Sequence, residues 1–148
     1  MTKKQVKIVY TFVQAMLIAF LFLPVGTISS GSGADSSLSV FGMVQHYAGK
    51  GFFYNALLYM VLACLLPVLS VVLLFVFKDR KNFGTVAFLS AFYTLAAACF
   101  FTAAEQKMVD SVSMTGLHYL IVLASLLSMF LAILGFFLAA PQTGQGEE

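Results

Sequence analysis

The chain has 148 residues, 61% of them hydrophobic, with eight basic side chains, six acidic ones and a net charge of +2. Soluble domains carry about 25% charged residues, whereas the charged share here is 9%, so the surface must face lipid. A mean hydropathy of +0.97 points the same way, and so weak and scattered a positive charge excludes a nucleic-acid footprint.

Long uninterrupted apolar runs predict helices, because membrane β-strands alternate in polarity. A spanning helix needs about 20 apolar residues, and four segments qualify, none holding Asp, Glu, Lys or Arg. The first covers about residues 8–24, "IVYTFVQAMLIAFLFLP". The preceding "TKKQVK" fits the plan of a signal peptide, but the run is long for one and no A-x-A site follows. An uncleaved helix is expected. Its small-residue face is Thr11, Ala15 and Ala19, with Gln14 beside it. Gln14 is the most polar side chain at depth, and a hydrogen bond to Thr94 or a serine of the fourth span is its expected use.

An outer loop follows over 25–51. It is Gly- and Ser-rich in "GTISSGSGADSSLS" and then semi-apolar in "LSVFGMVQHYAGKGFF". Leu38, Val40, Phe41, Met43 and Val44 are too apolar for a free linker and predict a short interfacial helix or a strand-like lid. The second span covers about 52–77, with Ala56, Ala63 and Ser70 on its small face and Pro67 placed to kink it. "KDRKN" (residues 78–82) reads as a tight turn that pins the second and third spans as an antiparallel pair. The third span, about 83–104, offers Ala87, Ser90, Ala91, Thr94, Ala98 and Thr102. A short polar loop, "EQKMVDSVSMTG", leads to the fourth span, about 117–140, with Ser125, Ser128, Ala132, Gly135 and Ala139 three or four residues apart. "PQTGQGEE", residues 141–148, reads as a disordered cytosolic tail.

Membrane helices associate through small or hydrogen-bonding faces. Four such stripes predict an all-α, antiparallel four-transmembrane-helix bundle, a single domain over 1–140 with most phenylalanines facing lipid or filling gaps. Tyr10 at one interface and Tyr47, Tyr54 and Tyr119 at the other suit an aromatic belt. With four spans, both termini and the 78–82 turn share a side, which holds Lys3, Lys4, Lys7, Lys78, Arg80 and Lys81, six of the eight basic residues. By the positive-inside rule that side is cytoplasmic. Lys78, Arg80 and Lys81 are then topology signals able to reach anionic headgroups. The expected location is the plasma membrane, with the longer first loop outside.

Catalytic signals are sparse. Intramembrane ionisable groups mark transport pathways, and the spans contain no acidic or basic residue. Cys64 and Cys99 sit in apolar runs without C-x-x-C spacing and read as small hydrophobes. The outer rim gathers Asp35, His46, Tyr54, Asn55, Glu105, Asp110 and His118, but no H-x-x-x-H or H-E-x-x-H spacing sets two ligands on one face. No metal, haem or other cofactor is expected. The layout resembles that of claudin-type four-span proteins, whose W…G-L-W…C…C signature is missing here, so the likeness is one of architecture.

The expected function is that of a small, non-catalytic four-pass protein of bacterial type, acting by binding: an accessory or regulatory subunit, a scaffold or an immunity-like protector. Its partners would be membrane lipid and another membrane or extracytoplasmic protein, met through Leu38, Val40, Phe41, Met43, Val44, His46 and Tyr47. A second expectation is an oligomeric pore or carrier for a neutral or apolar solute, lined by Gln14, Ser90, Thr94, Ser125 and Ser128. A third is a lipid-modifying enzyme at the outer rim using His46 or His118.

Overall fold

A computed structural model describes residues 2–29, 35–49, 53–76, 79–106 and 112–139, without the side chains of residues 29, 35, 53–56 and 79. The elements are α1 (Lys3–Ala19) with a closing 3₁₀ turn (Phe20–Phe22), β1 (Pro24–Ser29), β2 (Asp35–Ser39), α2 (Val40–Tyr47), α3 (Phe53–Val76), α4 (Asp79–Glu105), β3 (Val112–Met114) and α5 (His118–Leu138). Four helices, α1, α3, α4 and α5, are long and apolar enough to cross a membrane. They form a ring in which α1 touches α3 and α5, and α4 touches the same two. The Leu74–Asn82 and Tyr59–Phe101 contacts set α3 against α4 in opposite directions. Phe101–His118 and Phe83–Gly135 do the same for α4 and α5.

Two helices start earlier than the hydropathy suggests. Thr2 and Gln5 form a capping box: Gln5 N donates to Thr2 Oγ1 at 3.3 Å and Thr2 N to Gln5 Oε1 at 2.8 Å. Two orphan amides are thereby satisfied, and Lys3, Lys4 and Lys7 become helical. The expected "KDRKN" turn is likewise mostly helix, since α4 begins at Asp79. Asn82, wholly buried, donates from Nδ2 to the Leu74 carbonyl at 2.9 Å. That carbonyl lies in the last turn of α3, where helix acceptors lack intrahelical donors. One amide thus ties the two helices together at their joint. Lys78 lies outside the described residues, as do Lys50, Lys107, Asp110 and the expected tail at 141–148.

The four long helices fit the expected all-α bundle, and the α1–α3 and α4–α5 connections add a three-stranded antiparallel sheet in the order β2-β1-β3. β-Branched Val25, Thr27 and Ile28 suit β1 to the central place. Gly26 pairs with Leu38 on one side and Met114 on the other, and Thr27 with Ser37 and Ser113. The hydroxyl row Ser37–Thr27–Ser113 therefore lies on one face, and Gly26, Leu38 and Met114 on the other. A Cβ on Gly26 would come within 2.9 Å of Met43 Cε and 3.2 Å of Val112 Cγ1, so glycine lets the sheet settle on α2.

Ser39 caps α2 by accepting from Gly42 N at 3.2 Å. The helix lies across one end of the bundle and forms a lid. It reaches the 3₁₀ turn through Phe41 and Phe22, whose rings are 5.1 Å apart, and α4 through Tyr47 and Phe100 at 6.0 Å. The core has two parts. A lid-end cluster joins Leu17, Leu21, Val25, Val40, Met43, Tyr47, Tyr59, Phe101 and Ile121, and a second cluster joins Val6, Tyr10, Val13, Leu74, Phe83, Val86 and Leu131. Lys3, Lys4, Lys7, Arg80 and Lys81 surround the second, which makes it the basic end.

The helix faces differ from the small-residue stripes in α1 and α4. The interior face of α1 is Val6, Tyr10, Val13, Gln14 and Leu17, while Ala15 is exposed and Thr11 half-buried. In α4 it is Phe83, Val86, Ser90, Tyr93, Ala97, Phe101 and Ala104, while Thr102 is exposed. Phe83 and Phe101 are therefore interior, filling space between the helices. Lipid and core are equally apolar, so hydropathy cannot choose a face; ring fit and polar atoms do. In α5, Ser125, Ser128, Ala132 and Gly135 are all buried, and Gly135 leaves the space that the Phe83 ring fills.

Candidate functional site at the lid end of the bundle

Gly116, with φ of +80°, turns the chain from β3 into α5 in the left-handed region that glycine enters at little cost. Thr115 steadies this corner by donating from Oγ1 to the Pro24 carbonyl at 2.8 Å. The result sets His118 and Tyr119 at the start of α5 against Glu105 at the end of α4. Tyr119 OH donates to Glu105 Oε1 at 2.7 Å, and His118 Nε2 lies 2.8 Å from the same oxygen. His118 is 2% exposed and the Glu105 side chain 38%, so a reachable carboxylate is backed by a hidden imidazole.

The close His118–Glu105 approach lacks the alignment of a hydrogen bond, and neither ring nitrogen completes one to a described residue. Phe101 and Tyr119 enclose the imidazole at ring distances of 5.4 and 4.0 Å. One residue away from Glu105, the Ala104 carbonyl accepts from Tyr47 OH of the lid at 3.4 Å. Burial pushes the Tyr47 phenol above its ordinary value, which keeps the hydroxyl protonated as a donor. The last turn of α4 thus holds both the lid and the head of α5.

Of the seven residues expected to meet a partner, Val40, Met43, Val44 and Tyr47 belong to the protein's own core. Leu38 and Phe41 pack against that core and keep part of their surface, and His46 is half-buried. The apolar half of the first loop is therefore largely occupied in holding the lid down, and its four buried members are not open to a partner in this conformation. The lid end exposes the polar Ser36, Ser37, Gln45, Ser113 and Thr115 together with the Phe22 ring beside Phe41. Of the other expected rim residues, His46 sits half-buried on α2, while Asp110 and the side chains of Asp35, Tyr54 and Asn55 lie outside the described residues. No group of three metal-ligating side chains occurs among the described residues.

The polar residues at depth are used differently from expectation. Tyr10 is no interfacial belt residue: it is wholly buried, and its hydroxyl lies 2.8 Å from Ser90 Oγ, crossing the bundle diagonally from α1 to α4. Thr94 donates to the Ser90 carbonyl, Ser125 to Val122 and Ser128 to Ser125, each within its own helix. Gln14 is 3% exposed and makes no hydrogen bond to Thr94 or to those serines. Cys64 and Cys99 are free thiols on the exposed surface of the helices. Hydropathy put Glu105 and His118 at the same rim but did not single out their pairing, nor did it signal the Tyr10–Ser90 bond; the T-x-x-Q spacing at residues 2–5 is itself a capping-box signal.

Comparison with models of known protein families, with curated proteins and with solved structures finds no match.

Proposed function

We propose that the chain is a non-catalytic four-pass protein of the plasma membrane that works by binding another membrane or extracytoplasmic protein at its lid end. In this reading the basic end is cytoplasmic, following the positive-inside rule, and the sheet and α2 lie outside. One observation supports it most directly. Both outer connections combine into one sheet that is fastened to the bundle by core residues, yet among the described residues β2 is an unpaired edge strand with Ser36 and Ser37 exposed. A free strand edge is a template for strand addition, and mounting it on a packed core reduces the ordering cost of binding. The expected accessory, scaffold or immunity-like role fits this arrangement, with contact moved from the buried face of α2 to the sheet edge and to Phe41 and His46.

The enzyme reading has less support. His118 is enclosed by rings, and no described serine, threonine or cysteine is hydrogen-bonded to it. The pore reading meets hydroxyls already bonded to their own helices or to Tyr10.

The test is photo-crosslinking in living cells, with a photoreactive amino acid placed at Ser37, Gln45 or Ser113 and, for comparison, at lipid-facing Phe88 or Phe130. The expected result is one protein adduct of the same mass from the lid positions. Protein adducts from the helix positions alone would move the contact into the membrane and end this assignment.

A further inference from the structure

We propose that Glu105 and His118 form a binding site for a divalent transition-metal ion at the lid end, meeting the ion as two ligands at a right angle. The site is separate from the β2 edge and stands whether or not a protein binds there.

The orphaned imidazole is the first observation. His118 is 2% exposed, and neither Nδ1 nor Nε2 completes a hydrogen bond to a described residue. Buried polar groups are nearly always paired, and a bound ion is one of the few things that accounts for an exception. Nε2 nevertheless lies 2.8 Å from Glu105 Oε1. A donor and an acceptor that close ordinarily line up. Two ligands of one ion do not, because each is directed at a third point beside the line that joins them. No ligand motif brings this pair together in the sequence; the turn at Gly116 and the packing of α5 on α4 do.

The separation also selects the ion. Bonds from a transition metal to imidazole nitrogen and carboxylate oxygen are about 2.0–2.2 Å long. Ligand atoms 2.8 Å apart then subtend an angle of about 80–90° at the metal, for bonds of that length. This is the angle between neighbouring ligands in octahedral or tetragonal coordination, the geometry of Ni²⁺ and Cu²⁺. A tetrahedral ion would need the two atoms about 3.3 Å apart. Mg²⁺ and Ca²⁺ prefer oxygen alone and have no use for the imidazole.

The surroundings suit a cation. Tyr119 OH donates to Glu105 Oε1 at 2.7 Å, the kind of outer hydrogen bond that orients a ligating carboxylate. Glu105 is the last residue of α4, where the helix dipole favours positive charge. Its side chain is 38% exposed, which gives the ion a way in and leaves its remaining positions to water. Nδ1 has no such outer partner, and the rings of Phe101 and Tyr119, 5.4 and 4.0 Å away, hold the imidazole instead. The missing outer bond lowers affinity by about 10–100-fold relative to a fully supported site, so the ion exchanges with solution.

The full chain, purified in a neutral maltoside detergent with any affinity tag removed and stripped of metal by chelation, is titrated at neutral pH with Ni²⁺ and separately with Mg²⁺ by calorimetry. Ni²⁺ is expected to saturate one site per chain and to raise the melting temperature, with Mg²⁺ at equal concentration doing neither. Cu²⁺ added at one equivalent should give an electron paramagnetic resonance spectrum with coupling to one imidazole nitrogen, and His118→Gln should remove that coupling. Glu105→Gln keeps an acceptor for Tyr119 and should weaken Ni²⁺ by about tenfold or more. His46→Gln, at the other histidine of the chain, should leave Ni²⁺ binding and the nitrogen coupling as they are. Should His118→Gln misfold, Glu105→Gln at its part-exposed position and the wild-type spectrum decide the matter. Absence of saturable Ni²⁺ binding, equal response to Mg²⁺, a Cu²⁺ spectrum without nitrogen coupling, or equal losses from His46→Gln and Glu105→Gln would each overturn the proposal.

Discussion

Gly135→Ala tests how the basic-end core is built. A methyl group at this buried position would overlap Cδ1, Cε1 and Cζ of the Phe83 ring. That ring is itself wholly buried among Val6, Tyr10, Leu74 and Val86, so it cannot swing out to solvent or lipid. Overpacking of this kind costs about 1–3 kcal/mol. Alanine's better helix propensity returns about 0.5–1 kcal/mol in water, and less where the unfolded reference in a micelle stays helical. A net loss of about 1–2 kcal/mol is expected. Phe83→Leu shortens the ring edge and should cost about 1–3 kcal/mol alone, below the 3–5 kcal/mol typical of a full truncation to alanine. In the double variant the leucine makes room for the new methyl group, so the two losses should not add, leaving about 1 kcal/mol or more of favourable coupling. Pulse proteolysis across a titration of dodecyl sulfate in mixed micelles measures all four proteins without needing tryptophan, which the chain lacks. A Gly135→Ala protein as stable as wild type, or strictly additive losses, would mean that the ring does not occupy the space above Gly135.

Two tyrosines should respond in opposite ways. Tyr10→Phe deletes the bond to Ser90 and is expected to cost about 0.6–1.7 kcal/mol, the range for interhelical bonds in bundles. Tyr93→Phe removes a buried hydroxyl that lies near the Tyr59 hydroxyl without completing a hydrogen bond to a described residue, and should be neutral or stabilising; equal losses in the same proteolysis assay would show that the two tyrosines are bonded. Met43→Ser, at a wholly buried lid position, should cost about 2–4 kcal/mol and appear as faster hydrogen exchange in α2, whereas unchanged exchange would place Met43 outside the core. For Tyr47, burial raises the folded-state value above the ordinary 10. Its stabilisation is therefore complete below about pH 10 and declines as the pH rises through the folded value, because the unfolded chain ionises first. Tyr47→Phe should flatten that alkaline decline in lid protection, and an unaltered pH profile would remove Tyr47 from the coupling.

Composition and hydropathy determined the number of spans and their approximate limits, since a long charge-free stretch in a bilayer can satisfy its backbone only as a helix. They left open which face of each helix turns inward. Outside the bilayer, water separates apolar from polar, and the semi-apolar run from Leu38 to Tyr47 signalled a lid before any coordinates. Inside it, Val6, Tyr10 and Val13 look no different from Ile8 and Phe12 to a hydropathy scale. Fit decided the matter, through the Phe83 ring over Gly135 and the Tyr10 hydroxyl at Ser90. β3 was hidden for a related reason. Three residues of a short polar loop have no period of their own, and they become a strand only because β1 offers them an edge. The Glu105 cluster depends in turn on that strand and on the left-handed turn at Gly116, which carry His118 to the end of α4. Contacts between residues distant in sequence exist only once the chain is folded, and no local pattern announces them.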